Sequence, residues 1–389
     1  MHEHAIPTDG ADASVLSRED FDSLLDVLRR RGYVLVGPTV RDGAILYGEI
    51  SGAGELPVGL TDEQDGGRYR LRRRGDSALF GYAVGPQSIK PLQLPAESTL
   101  WRGRLDERGG VRDAAELQPQ ERRYALLGLR SCELHAMEIL DTVLLAGPHR
   151  DPLRETSLER PFIVAVQCGQ AGGTCFCASM RTGPVAERGF DLALTELIDG
   201  GHRFLVQIGT DLGAEVLAEV PHTPAAAVDL RQATQAHENA AAQMGRQLDT
   251  DGLKELLYRN YEHPRFEEVA DRCLTCGNCT MVCPTCFCTS VEDVTDLAGE
   301  RVERRRRWDS CFTIDYSHIH GGPVRSSARS RYRQWMTHKL ATWEDQFGTS
   351  GCVGCGRCIT WCPVGIDITE EAAAIRASDL GAQAPGGGD

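Results

Sequence analysis

Two segments of this 389-residue chain repeat one cysteine pattern, C-x-x-C-x-x-C-x-x-x-C-P. Its eight cysteines are Cys273, Cys276, Cys279, Cys283, Cys352, Cys355, Cys358 and Cys362. Each cysteine of the second run follows its counterpart at one constant distance, so the runs form an internal repeat. Cysteine thiolates at this spacing are typical ligands of paired [4Fe–4S] clusters, which are redox centres.

The spacing also predicts how the eight cysteines are shared. Three cysteines on a tight loop bind one cluster, and the fourth, which starts a helix before proline, reaches the other cluster. One predicted ligand set is therefore Cys273, Cys276, Cys279 and Cys362, and the other is Cys352, Cys355, Cys358 and Cys283. The alternative is a pair of zinc sites, but zinc usually takes two C-x-x-C pairs.

Four further cysteines suggest a third site. Cys132 and Cys168 each follow a predicted strand, and Cys175 and Cys177 lie in a glycine-rich loop just beyond. Ligand sites in α/β sheets lie beyond the carboxyl ends of strands. The hypothesis is a third [4Fe–4S] cluster in the N-terminal region; the alternative is that these thiols are only buried and structural.

The last three cysteines are Cys286, Cys288 and Cys311, in and after a Thr-Cys-Phe-Cys segment that repeats residues 174–177. Three cysteines do not complete a Cys₄ site. They are interpreted as neighbours of the clusters, and their roles stay open.

The elements that must position these residues predict an α+β fold. Strand-like runs occur at Tyr33–Val36, Ile45–Tyr47, Ala125–Leu129, Phe162–Val166 and Phe204–Ile208. Helices are predicted at Leu16–Arg31, where Ser17 could cap the start, and at Glu133–Leu144. The result would be a mixed α/β N-terminal domain, followed by a helical, ferredoxin-like dicluster domain with a long insert.

The predicted domain boundaries follow from composition. The α/β domain spans 1–225, a helical connector spans 226–264, and the dicluster domain spans 265–376 with an insert at 284–351. A Gly/Pro/Ala-rich tail at 377–389 is expected to be disordered. The insert is rich in arginine and aromatic residues, so it is either a docking face for a partner or a solvated segment with local Glu–Arg pairs.

Several classes of function are disfavoured. The formal net charge of −14 argues against nucleic-acid binding, and no apolar run approaches the length of a membrane span. The N-terminus does not resemble a signal peptide, and fifteen cysteines are typical of metal binding in a reducing compartment, so a cytoplasmic location is expected. No dinucleotide or phosphate-binding motif is visible, and no catalytic residue is predicted.

The segments Leu129–Ala136 and Thr174–Cys177, together with Cys168, both cysteine runs and an insert carrying Trp308, Cys311 and Tyr316, resemble a known family. It is the iron–sulfur β subunit of soluble NAD(P)-linked [NiFe] hydrogenases of the sulfhydrogenase type, related to the A subunit of anaerobic sulfite reductase. The resemblance covers about 124–368 without departure at the eight ferredoxin-type cysteines.

This resemblance implies an electron-transfer subunit that is not itself catalytic. It would relay electrons between a flavin subunit that meets NAD(P)H and the small and large subunits of a cytoplasmic [NiFe] hydrogenase. The first alternative is the corresponding subunit of a sulfite reductase. An alternative of another class is a stand-alone flavin-dependent oxidoreductase.

Overall fold

The computed structural model describes residues 13–116, 122–158 and 160–379. Its strands are β1 (Ala13–Ser17), β2 (Val34–Arg41), β3 (Ala44–Glu49), β4 (Leu60–Asp65), β5 (Arg68–Arg73), β6 (Glu97–Leu105), β7 (Val111–Glu116), β8 (Tyr124–Leu129), β9 (Phe162–Val166), β10 (Leu192–Leu197), β11 (Arg203–Ile208), β12 (Thr223–Pro224), β13 (Thr289–Thr295), β14 (Arg301–Trp308), β15 (His318–Ile319) and β16 (Gly322–Pro323).

The α-helices are α1 (Phe21–Arg30), α2 (Lys90–Gln93), α3 (Ser131–Leu145), α4 (Pro152–Ser157), α5 (Cys177–Met180), α6 (Asp211–Ala218), α7 (Ala227–Ala242), α8 (Leu253–Arg259), α9 (Arg265–Ala270), α10 (Asn278–Met281), α11 (Ala328–Thr337), α12 (Trp343–Phe347), α13 (Arg357–Thr360) and α14 (Ile368–Ala377). A 3₁₀ turn spans Ala53–Glu55, and a π-helical turn at His338–Thr342 joins α11 to α12. Within the described ranges, no helix is long and apolar enough to cross a bilayer.

The N-terminal region is built on a mixed sheet in the order β12-β1-β11-β10-β9-β8-β2-β3. Its central strands β2, β8, β9 and β10 are parallel neighbours, and the outer pairs are antiparallel. Apolar side chains fill both faces, as expected for parallel strands between layers. The carboxyl ends of β8 and β9 therefore lie side by side. Cys132 follows the end of β8, and Cys168 follows the end of β9.

The C-terminal region is mainly helical and has its own apolar core. Leu256 of α8, Phe266 of α9, Met336 of α11 and Ile375 of α14 are all fully buried there. Several cysteines of the two runs pack against this core. The predicted fold class, a mixed N-terminal region followed by a helical C-terminal region, is thus confirmed.

The first helix differs from its prediction. It begins at Phe21 rather than at Leu16, because Leu16 is fully buried in strand β1, which pairs with β11. Ser17 is therefore not the cap: Asp20 takes that position without a side-chain capping bond, and its backbone N–H donates to Ser17 Oγ at 3.0 Å. Tertiary pairing of the strand overrides the helical periodicity at this end.

The connector is helical only in part. Helix α7 ends at Ala242 and α8 starts at Leu253, with an extended stretch between them. A Cβ on Gly245 would lie 2.1 Å from the carbonyl oxygen of Gly173, so the stretch passes closely beside the glycine-rich cysteine loop. The domain boundaries themselves stay a prediction, and the predicted tail lies outside the described residues from 380 onward.

The first part of the insert between the cysteine runs is a hairpin, and helices α11 and α12 follow later in the insert. Strands β13 and β14 form a hairpin, and β14 pairs with β6 of the N-terminal region to make a sheet in the order β13-β14-β6-β7. Arginines of β14 pair with nearby carboxylates: Arg304 with Asp293 at 2.7 Å, and Arg307 with Glu292 at 3.1 Å. These two pairs are local, whereas Arg306 pairs with Asp151 of the N-terminal region, so the basic run also contacts that region.

Candidate metal centres

The structure brings the first predicted ligand set together. Cys273 follows α9, Cys276 and Cys279 flank the start of α10, and Cys362 follows α13. All four line one small cavity of about 30 Å³, which Cys358 of the other run also borders. Burial, together with the nearby thiols of Cys273, Cys362 and Cys276, raises the pKa of Cys279.

Backbone N–H groups point at sulfurs of both runs. The N–H of Thr275 donates to Cys273 Sγ at 3.4 Å, that of Ile366 to Cys362 Sγ at 3.3 Å, and that of Gly354 to Cys352 Sγ at 3.4 Å. Gly354 has a φ of +62°, a conformation that a side chain disfavours. Such hydrogen bonds stabilise thiolate sulfur and tune a bound cluster.

The second predicted set also converges. Burial raises the pKa of Cys358, and the thiols of Cys352, Cys355 and Cys283 add to the effect in that order, so all three lie close to it. Burial also raises the pKa of Cys352 to about 12. The raised pKa values keep iron-free Cys352 and Cys358 protonated at neutral pH, whereas the hydrogen bond with Cys286 lowers the pKa of Cys283. Bound iron takes cysteines as thiolates.

Lys339 is a buried cation at this second set. Only 4% of the residue is exposed, and its Nζ donates to Cys283 Sγ at 3.2 Å, Thr285 Oγ1 at 3.3 Å and the Gly351 carbonyl oxygen at 3.0 Å. Three acceptors satisfy the three N–H bonds of a charged ammonium group. The sequence offered no local signal for this lysine, because it lies outside both cysteine motifs, in the π-helical turn.

A second buried lysine lies beside the first. The Nζ of Lys90 donates to the backbone carbonyl of Cys286 at 3.2 Å and lies 3.8 Å from the centre of the Trp308 ring. Burial lowers its pKa, and the nearby thiols of Cys286 and Cys283 oppose that shift. Two lysines, Lys339 and Lys90, thus lie close enough to offset the negative charge of thiolates at the second set.

The four N-terminal cysteines are also brought near one another. Cys132 lies in the first turn of α3 after β8, Cys168 follows β9, and Cys177 starts α5. Burial and the thiols of Cys175, Cys168 and Cys355 raise the pKa of Cys177. Burial and the thiol of Cys177 likewise raise the pKa of Cys132. The set is therefore grouped as expected, while its role as cluster ligands stays a prediction.

Cys355 of the second run faces this N-terminal set. Cys355 packs in one buried cluster with Cys132 and Cys177. Burial raises the pKa values of Cys132, Cys175 and Cys177, and the thiol of Cys355 adds to the effect. The N–H of Phe176 donates to the Gly354 carbonyl at 2.8 Å, and a Cβ on Gly354 would lie 2.7 Å from the backbone of Cys177. Only glycine fits here, so the two cysteine loops are in direct backbone contact.

A buried ion pair also joins the second cysteine run to helix α3 of the N-terminal region. Arg357 donates to Glu133 Oε1 at 2.6 Å, and both side chains are almost completely buried. Arg357 also donates to the Gly85 carbonyl at 2.8 Å, and Glu133 accepts from Tyr47. Sequence reasoning missed both residues as functional, although Arg357 lies inside the second cysteine run and Glu133 directly follows Cys132.

The donor chemistry of these sets fits iron–sulfur clusters. Each set is made of cysteines, backbone N–H groups reach several of the sulfurs, and buried cations lie at hand. In the described part of the chain, no three His, Cys, Asp or Glu side chains converge closely enough to hold a single metal ion. Cluster ligands surround a larger core instead of one ion.

Comparison with known proteins agrees with this chemistry. Residues 272–366 match the model of the 4Fe-4S dicluster domain, which contains both cysteine runs. The chain is therefore an iron–sulfur protein that binds [4Fe–4S] clusters.

A relative defines the family more closely. Over 251 residues the chain is 36% identical to sulfhydrogenase 2 subunit beta of Pyrococcus furiosus, an alignment that covers 63% of this chain and 72% of that protein. The chain belongs to the family of sulfhydrogenase β subunits, as the resemblance predicted. No solved structure matches it.

Proposed function

We propose that this chain is the electron relay of a sulfhydrogenase, in which it passes electrons between a flavin subunit that meets NAD(P)H and the small and large [NiFe] subunits. Family membership supports an iron–sulfur electron-transfer subunit. The observation that supports the relay is the adjacency of three cysteine sets in one chain: Cys355 packs in one buried cluster with Cys132 and Cys177, and Cys358 borders the cavity of the first set.

The proposed ligand sets are those of the sequence hypothesis: Cys273, Cys276, Cys279 and Cys362; Cys352, Cys355, Cys358 and Cys283; and Cys132, Cys168, Cys175 and Cys177. [4Fe–4S] clusters bound there supply one-electron redox chemistry. The protein holds the thiols in place, buries half of them and presents backbone N–H groups to sulfur. Lys339 and Lys90 offset negative charge at the second set.

The cytoplasm is the proposed location. All fifteen cysteines are free, including pairs that lie close together. Thiols persist in a reducing compartment, whereas an oxidising one favours disulfides.

Native anaerobic purification, followed by metal analysis and mass spectrometry of the co-purifying proteins, tests the proposal. We expect nickel, a flavin subunit and about twelve irons in the three proposed sets of this chain, at four per cluster. Siroheme without nickel would indicate the sulfite reductase alternative. A chain that purifies alone and retains flavin would indicate a stand-alone oxidoreductase, and the relay would have to be withdrawn.

A further inference from the structure

Three cysteines outside the proposed sets share a cavity of their own. Cys286, Cys288 and Cys311 line a space of about 170 Å³, and none of the three is completely buried. Cys288 hydrogen-bonds to Cys311 and to the hydroxyl of Tyr316. The remaining polar groups of the lining include Arg325, His338 and Lys339.

The hairpin of the insert creates this grouping. Cys288 and Cys311 are separated by strands β13 and β14, whose register pairs Thr289 with Trp308. At the base of the hairpin the N–H of Asp309 donates to the Cys288 carbonyl at 2.9 Å. Cys311, two residues further on, is therefore returned to Cys288.

The same loop type holds cysteines twice in this chain. Thr174 and Thr285 each begin a Thr-Cys-Phe-Cys segment, and both are fully buried. Thr174 Oγ1 hydrogen-bonds to Thr360 Oγ1 at 2.7 Å, and Thr285 Oγ1 donates to the Gly351 carbonyl at 2.6 Å. Each threonine therefore fixes its loop against the segment that carries the second cysteine run. The first loop belongs to the proposed N-terminal cluster set, and the second presents its cysteines to the cavity.

Cations in the lining suit a thiolate site. Arg325 is fixed by donating to Ser317 Oγ at 3.1 Å and to Gln334 Oε1 at 3.0 Å. Lys339 lies between this cavity and the second ferredoxin-type set. Metal ligation by cysteine requires the thiolate, and fixed positive charge reduces the cost of that charge in a partly buried site.

We propose that Cys286, Cys288 and Cys311 bind an additional iron–sulfur cluster in this cavity. Three thiols leave one iron for a group other than cysteine, and Tyr316 and His338 are the groups present in the lining. A single ion is the poorer fit, because no three ligand side chains of the described residues converge on one point. The site is additional to the three sets of the relay, and its failure would leave that proposal intact.

Iron and sulfide analysis of the full-length chain, assembled and purified anaerobically, tests the site. Cys288→Ser and Cys311→Ser should each lose about four irons relative to the unchanged chain. The lost Mössbauer and EPR components should differ from those lost in Cys276→Ser and Cys355→Ser. Val291→Ala, at an exposed position of the hairpin strand β13 outside the cavity lining, should keep all the iron. Unchanged iron content and spectra in both cysteine variants would overturn the proposal.

A measurement on the unchanged chain covers the case in which the variants do not fold. Iron-loaded protein is treated with iodoacetamide under anaerobic conditions, and labelled cysteines are identified by mass spectrometry. Cluster ligands should resist alkylation until iron is chelated, so Cys288 and Cys311 should label only afterwards. Their alkylation in fully loaded protein would show free thiols and refute the site.

Discussion

The C-terminal cysteine sets and the N-terminal set are assembled from different kinds of sequence. Each proposed C-terminal set takes three thiols from one short loop and a fourth from the matching loop of the repeat. The N-terminal set is collected from the ends of two parallel strands and a glycine-rich loop. The comparison shows two ways to bring thiols together: a sheet places distant cysteines at neighbouring strand ends, and the repeat places them within a few residues of one another.

The two regions also differ in their surroundings. Lys339 donates directly to a sulfur of the second C-terminal set. At the N-terminal set, Arg357 is paired with Glu133, and the buried guanidinium of Arg130 hydrogen-bonds to Cys168. Two lysines therefore face the second C-terminal set, and one of them donates to sulfur, whereas an arginine contacts the N-terminal set.

The largest expected effect comes from removing one ligand on each side of the contact. Cys355→Ser and Cys132→Ser should each lose about four irons, and the double variant about eight, if the sets are separate clusters. Cys355→Ser should also stop NAD(P)H-linked turnover of the complex, while partner-subunit activity with artificial dyes persists. Iron analysis and both assays would measure this.

Two outcomes would change the comparison. Full iron content in Cys132→Ser would make the N-terminal thiols structural. Undiminished NAD(P)H-linked turnover in Cys355→Ser would count against the relay itself.

The next effect concerns the ion pair between the regions. Arg357→Met leaves Glu133 charged and buried, so it should destabilise the chain by about 3–5 kcal/mol. An anaerobic urea titration followed by near-UV circular dichroism would show a lower midpoint. Adding Glu133→Gln should recover part of the loss, because it removes the unpaired charge. A midpoint unchanged by Arg357→Met would show that the pair does not hold the regions together.

A smaller effect is expected on the reduction potential of the second C-terminal set, which Lys339 contacts. Lys339→Met removes a positive charge and an N–H donor from Cys283 Sγ, so the reduced cluster loses stabilisation. Its potential should fall by roughly 60 mV, the one-electron equivalent of about 1.4 kcal/mol. EPR-monitored redox titration would measure this.

Lys90→Met is the matched control for that charge, because its Nζ donates to backbone carbonyls and not to sulfur. It should shift the potential less, and Lys339→Arg should largely restore it. Equal shifts for both methionine variants would remove the special role of the Cys283 contact.

The smallest effect is expected at the basic strand β14. Arg304 and Asp293 form an ion pair whose side chains are 44% and 53% exposed. Arg304→Ala should change stability by less than about 1 kcal/mol and leave the iron content unchanged. A large loss of stability, measured in the same urea titration, would assign this strand a role that local ion pairs do not explain.

The cysteines could be predicted from the sequence, whereas the charged side chains that contact them could not. Both runs and the two strands before Cys132 and Cys168 were visible, because spacing and apolar runs are local signals. Lys339 and the Arg357–Glu133 pair were missed, since only the folded chain brings them to the thiols. The hairpin β13–β14 was read as part of an insert, and its pairing with β6 depends on contacts some two hundred positions apart.

The contact between Gly354 and Cys177 has a consequence for biogenesis. On the ribosome, Cys132, Cys168, Cys175 and Cys177 are synthesised long before the glycine that closes over them. Once that glycine is made, its backbone packs against the backbone of Cys177. A cluster of the proposed N-terminal set would therefore be inserted with less obstruction before the last cysteine run docks.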